Sequence, residues 1–200
     1  VAITKPSQTA KIRYLSYKGD GVNDKHLSIV GFGINRATAD FYPTPNYATQ
    51  ELLKRETFEG TIWEPASGNG AIAKFFPNCM ASDIRTDEDV YGEKGINFFL
   101  EDRRVDNIIT NPPYKYAQKF VEHSLACANK KVAMLLKLVF LESQSRKRLF
   151  ENNRLRKVYV FRKRLKIYAY GKMGKNSGLI AYAWFIWDKN YTGLPTIDWI

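Results

Sequence analysis

Short apolar runs bounded by turn residues alternate with segments of helical periodicity over most of this chain. That alternation limits the fold more sharply than any other feature of the sequence. Runs at residues 61–63, 79–82, 96–99, 105–110, 131–138, 157–161 and 179–187 predict seven strands. Between them, residues 71–76, 116–128 and 142–152 repeat at helical spacing. Strand–helix–strand units of this kind build a mainly parallel sheet with helices on both faces, an α/β fold. The last two runs leave no room for a crossover helix, so the final strand of the seven is expected to be antiparallel. Ahead of the first strand, Tyr47, Ala48, Leu52 and Leu53 mark one face of a helix behind Pro45. Residues 1–40 are polar, with Gly19, Gly21, Gly31 and Gly33, and read as a flexible or loosely docked N-terminal arm preceding a domain over 41–200.

Composition excludes several classes. At 44% hydrophobic and 14% aromatic the chain can bury a core. No apolar run approaches the roughly 20 residues of a bilayer-spanning helix, so no membrane partner is expected. The chain opens at Val1 without the basic, apolar and small-residue pattern of a signal peptide. Cys79 and Cys127 with two histidines make neither a disulfide framework nor a metal site, which suits a reducing, cytoplasmic compartment. The formal net charge of +11 sits in one place: residues 146–175 hold twelve basic residues against Glu151, and the rest of the chain is balanced. Tyr159, Phe161, Tyr168 and Tyr170 interleave with these cations. Such a stretch suits a nucleic-acid backbone.

Two loops carry candidate chemistry. Trp63-Glu64-Pro65-Ala66-Ser67-Gly68-Asn69-Gly70 joins the first strand to a predicted helix, at the strand edge where open α/β sheets bind ligands. Gly68 and Gly70 permit close backbone approach, and the second predicted strand runs into Asp83, a carboxylate able to accept both hydroxyls of a ribose. Ala73 replaces the third glycine of the dinucleotide fingerprint, so a tight strand-to-helix turn capped by Ser67 or Asn69 is the alternative. The fourth strand runs into Asn111-Pro112-Pro113-Tyr114 at the same edge. An Asn side-chain oxygen, a carbonyl aimed by two rigid prolines and an aromatic plate suit an exocyclic amino group and its ring.

With these motifs in this order, behind Phe41-Tyr42-Pro43-Thr44-Pro45, the chain resembles the S-adenosylmethionine-dependent amino methyltransferases. Among them it is most similar to the compact phage-type adenine-N6 DNA methyltransferases with the gamma order of motifs. The resemblance runs from about residue 39 to 200 and includes Val132 to Glu142, Tyr182-Ala183-Trp184-Phe185 and Trp199-Ile200. It implies a Rossmann-like methyltransferase fold, with 41–200 as the catalytic domain; members that read a defined site usually carry a target-recognition domain after it, and no separate one is expected here. It implies that Tyr42, Thr44 and Pro45 close over the methionine end of S-adenosylmethionine. Gly68 and Gly70 would approach the methionine part of the cofactor and Asp83 would hold its ribose, with Glu64, Ala66 and Ile84 as further cofactor contacts, and Asn97 or Asp102 would meet the cofactor's adenine amino group. Asn97 departs from the carboxylate usual in the family. Asn111, Pro112, Pro113 and Tyr114 become the catalytic set, with Tyr114 stacking on an adenine flipped out of double-stranded DNA. Arg162, Lys163, Arg164, Lys166, Tyr168 and Lys172 become DNA contacts. Near Arg164, where the family commonly has an aromatic residue to sandwich the target base, the chain departs from it: Ile167 stands close to that place, with Tyr168 and Tyr170 as candidates instead.

The implied chemistry asks little of acid–base groups. The methyl group is already activated, and acceptors on the amino group localise its lone pair. The proton becomes acidic only as the new bond forms, so His123 and Cys127 need no role. The same acceptors suit N4 of cytosine, an RNA base or a protein glutamine amide. A DNA-binding module of the same fold without catalysis is the alternative from another class. The polar first 40 residues do not supply the helical domain of the glutamine enzymes, and the basic stretch favours nucleic acid.

Overall fold

A computed structural model describes residues 42–152, 154–167 and 180–200. Its strands are β1 (Ile62–Glu64), β2 (Cys79–Asp83), β3 (Glu93–Lys94), β4 (Val105–Thr110), β5 (Ala128–Lys137), β6 (Leu155–Val160), β7 (Tyr182–Asp188) and β8 (Thr196–Trp199). They form one sheet in the order β3-β2-β1-β4-β5-β7-β6-β8. β7 is antiparallel to both its neighbours, β5 and β6, and every other pairing is parallel.

Alternation along the central strands sends side chains to two separate cores. Trp63, Ile108, Val132, Met134, Leu136, Val158, Phe185 and Trp187 face one side. Their sequence neighbours Ile62, Ile109, Ala133, Leu135, Tyr159, Trp184 and Ile186 face the other. Helix α2 (Ala117–Cys127) covers the first side through Phe120 and Val121, and α3 (Lys147–Asn152) does so through Leu149. Helix α1 (Asn46–Leu53) covers the second through Ala48 and Leu52. The Trp184 indole N–H donates to the Ala48 carbonyl at 2.8 Å, fixing α1 on β7. Because both faces are covered, β5 and β7 read as near-continuous apolar runs.

Four sequence expectations are corrected. The sheet has eight strands rather than seven, because Thr196–Trp199 pairs in parallel with β6 as an edge strand. Residues 96–99 are not a strand. The Asn97 side chain accepts the Phe99 N–H and caps a 3-10 turn over Phe98–Leu100, while Glu93–Lys94 pairs with β2 instead. Residues 71–76 give only a 3-10 turn at Ala73–Phe75, because Phe76 precedes Pro77 and is held extended. The helix predicted over 142–152 shortens to α3 behind a 3-10 turn at Gln144–Arg146, Ser143 before it having a φ of 126°. The predicted arm, residues 1–40, lies outside the described residues. Among the described residues no helix is long and apolar enough to cross a membrane.

Candidate active site

The parallel strands β1, β2, β4 and β5 end at one edge of the sheet, where β6 and β8 also end and β7 begins. Strand order reverses between β1 and β4, and the crevice outside such a switch point is where open α/β sheets take ligands. The loop at 64–70 leaves β1 on one side of that crevice, and Asn111 leaves β4 on the other.

The first loop is held by its own carboxylates. Asp83, at the end of β2, accepts the Gly68 N–H at 2.8 Å through Oδ2 and the Arg85 N–H at 2.9 Å through Oδ1. Burial raises its pKa, and those two N–H groups partly offset the shift. Glu64 is 2% exposed and accepts the Ala73 N–H at 2.6 Å. Burial holds its carboxyl well above the ordinary carboxylate range, with the Asp83 charge adding to the shift. Glu64 therefore shapes the loop from inside. Gly68 and Gly70 take positive φ of 52° and 76°. At Gly70 the close approach is made by the protein itself, since a Cβ there would lie 2.6 Å from Cγ of Tyr91. Tyr91 is further tied to the loop by Ser67 Oγ donating to its carbonyl at 2.7 Å and its own N–H donating to Gly68 O at 2.8 Å. Ala66 is half-buried, and Ile84 beside Asp83 is 57% exposed at the crevice. Asn97 lies near this edge, where the Ile96 N–H meets Asp83 O, whereas Asp102 precedes β4 at the opposite edge.

The second loop brings distant residues together. The Asn111 side-chain Nδ2 donates to the Tyr42 carbonyl at 3.1 Å and to Thr44 Oγ1 at 3.0 Å, nearly seventy residues away. Pro45 occupies the N-cap position of α1, so seating the helix also seats this element on the loop. Pro112 is buried and Pro113 half-buried, with the Pro113 carbonyl accepting the Tyr116 N–H at 2.9 Å. Tyr114 is half-buried between Tyr42 and Tyr182, at ring distances of 6.1 and 5.5 Å. Burial lifts its hydroxyl well above its usual pKa, and the neighbouring Tyr182 adds to the shift. Tyr114 is thus no proton acceptor at neutral pH. Cys79, pushed up to about 12 by burial, is no nucleophile either.

Lys137 stands beside this loop, and periodicity did not single it out. Its Nζ stands 5.0 Å from the centre of the Tyr114 ring. The signal was a lone charge closing the apolar run 132–136. Tyr91 had no signal, because a loop residue shows nothing of what it will pack against.

The basic stretch divides in two, since β6 carries the chain across the sheet by about 3.3 Å per residue. Arg162, Lys163, Arg164 and Lys166 follow the end of β6 and are exposed at the crevice edge. Arg162, Arg164, Tyr182 and Trp199 line a cavity of about 430 Å³ there. Arg154 and Arg156 lie at the other end of β6 and serve the scaffold. Arg156 pairs with buried Glu56 and stands 3.6 Å from Asp188, and Arg154 donates to Lys189 O. Arg146 donates to the Phe140 carbonyl and lies over that ring. Among the described residues, the cations at 162–166 thus stand apart from Arg154 and Arg156 at the other end of β6. Tyr168 and Lys172 lie outside the described residues, as does Tyr170.

No family model and no curated protein matches this sequence. Solved structures do. A "putative RNA methyltransferase" from Pyrococcus horikoshii superposes with a TM-score of 0.59 at 15% identity, over 82% of this chain and 97% of that one. A modification subunit of a "putative type I restriction enzyme" from Vibrio vulnificus YJ016 gives 0.53 at 11%, over 88% of this chain. The chain covers only about half of that subunit, 49%. A "putative hemolysin" from Streptococcus thermophilus gives 0.52 at 9%, over 76% of this chain and 67% of that one. With its parallel strands, single antiparallel β7 and helices on both faces, the chain has the Rossmann-like methyltransferase fold.

Proposed function

We propose that this protein transfers the methyl group of S-adenosylmethionine to the N6 amino group of an adenine extruded from DNA. The observation that carries the reading is the Asn111 amide at the end of β4. Both of its donors are consumed within the protein, which leaves Oδ1 as an acceptor beside a rigid Pro112-Pro113 turn. The residues of the opposite loop fit the cofactor. Each oxygen of Asp83 takes one N–H and keeps capacity for a ribose hydroxyl, and exposed Ile84 offers an apolar surface for a ring.

The bound cofactor supplies a methyl group on a positively charged sulfur. Asn111 Oδ1 and the Pro112 carbonyl accept the two amino N–H groups and turn the nitrogen lone pair toward that methyl. S-adenosylmethionine held there would supply the methyl as an electrophile with its sulfur as leaving group, and the surplus proton of the amino nitrogen would pass to water; no side chain of shifted pKa is needed as a base. Tyr114 offers a ring face to the extruded base, and extrusion costs a few kcal/mol. Exposed Arg162, Lys163, Arg164 and Lys166 offset that cost at the phosphates.

The test is transfer of labelled methyl from S-adenosylmethionine to unmethylated duplex DNA, with structured RNA in parallel, followed by nucleoside analysis. Label in N6-methyladenine of DNA, abolished in Asn111→Ala with cofactor affinity kept within a few-fold, is the expected result. Label in N4-methylcytosine or in RNA replaces the substrate but keeps the mechanism. Cofactor binding without transfer to any nucleic acid overturns the reading.

A further inference from the structure

We propose that Thr44 is a positioning residue for methyl transfer, holding the Asn111 amide in the one orientation that can activate an amino group. The inference rests on the methyl-transfer reading and assigns Thr44 a role other than cofactor contact. A carboxamide presents either an oxygen or an NH₂ group to a substrate. Only the oxygen accepts from the target amino group; the NH₂ would face it donor to donor. The protein decides between the two by what it places on the far side. A main-chain carbonyl only accepts, so Tyr42 O at 3.1 Å demands the NH₂. Thr44 Oγ1 at 3.0 Å takes the second N–H. Both donors are then used, and Oδ1 is directed away from residues 42–45.

Thr44 suits this task because it is shielded and anchored. It is 6% exposed, so water does not readily replace its hydroxyl. It directly precedes Pro45, whose carbonyl accepts the Ala48 N–H at 2.9 Å, and Trp184 holds Ala48 from β7. The lock is therefore carried by a packed helix rather than by a free loop.

The experiment compares Thr44→Val, which keeps the shape and removes the acceptor, with Thr44→Ser, which restores it. Expected for Thr44→Val are a kcat lowered by about tenfold, cofactor affinity within twofold, and recovery in Thr44→Ser to within about threefold of the parent. An unchanged kcat, a loss confined to cofactor affinity, or no rescue by Ser overturns the proposal. A second readout needs no activity: the Asn111 side-chain NH₂ protons, observed by NMR, exchange with water slowly in the parent and faster in Thr44→Val. If they do so while the parent methylates no nucleic acid, the lock stands as a structural contact and the methyl-transfer reading fails. Equal exchange in the two proteins removes the lock itself.

Discussion

Replacing Gly70 with Ala adds one methyl group to the crevice loop, and the structure sets what it meets. The new Cβ would lie 2.6 Å from Tyr91 Cγ, 2.8 Å from Cδ1 and 2.9 Å from Cβ. Favourable carbon–carbon contact begins at about 3.5 Å, so the ring must retreat by about 1 Å. It cannot do so freely, because the Tyr91 main chain is bonded on both sides to Ser67 and Gly68. The φ of 76° adds about 1–2 kcal/mol for any residue with a Cβ, and overpacking adds about 1–3 kcal/mol. Gly70→Ala should therefore cost about 2–5 kcal/mol in the parent. In a Tyr91→Ala background two of the three close atoms are gone, and the same change should cost about 1–2 kcal/mol, chiefly the backbone part. Urea denaturation of the four proteins closes the cycle, with an expected coupling of about 1–3 kcal/mol. Costs that add to within about 0.5 kcal/mol would refute the claim that Gly70 is required by Tyr91.

Replacing Arg162, Lys163 and Arg164 together with Ala should weaken DNA binding and reduce the slope of log K against log salt by up to about 2.7. Arg156→Ala should leave that slope unchanged while lowering stability by about 1.5–3 kcal/mol, since it strips one charged partner from buried Glu56 and leaves Lys131 and the Tyr159 hydroxyl; equal slopes for the two variants would place the DNA elsewhere. Glu64 binds its proton more tightly folded than unfolded, because burial raises its pKa. Its charge thus costs no stability below the unfolded carboxyl value of about 4.3 and costs progressively more as pH rises toward the folded value. Glu64→Gln, which can keep the acceptor for the Ala73 N–H, should match the parent near pH 4 and exceed it at pH 7.5 in chemical denaturation. A difference independent of pH would contradict this.

Much of the scaffold was legible because it follows from local pattern. Alternation of short apolar runs with helical periodicity required a covered, mainly parallel sheet, and the lack of a crossover before β7 required one reversed strand. The runs at 61–63, 79–82 and 105–110 lead into Glu64, Asp83 and Asn111 and so place both chemical loops at one edge, since parallel strands share the direction of their ends. Elements set by single contacts were not legible. Asn97 turned a predicted strand into a 3-10 turn through one side-chain acceptor, and Pro77 cut a predicted helix short through its neighbour. β8 became a strand only because β6 lay beside it.

By itself the sequence determined the residue types at the crevice and the edge on which they gather. Tertiary structure decided what those residues do there. It bonded Asp83 and Glu64 to backbone N–H groups, set the Tyr91 ring against Gly70, divided the described part of the cationic stretch between scaffold and crevice, and joined Thr44 to Asn111. Apart from the Glu64–Ala73 bond, which spans 9 residues, these contacts join positions from 15 to 100 residues apart in the chain. Periodicity reports which face a residue takes, but the partner it meets on that face depends on how the whole sheet brings distant loops together.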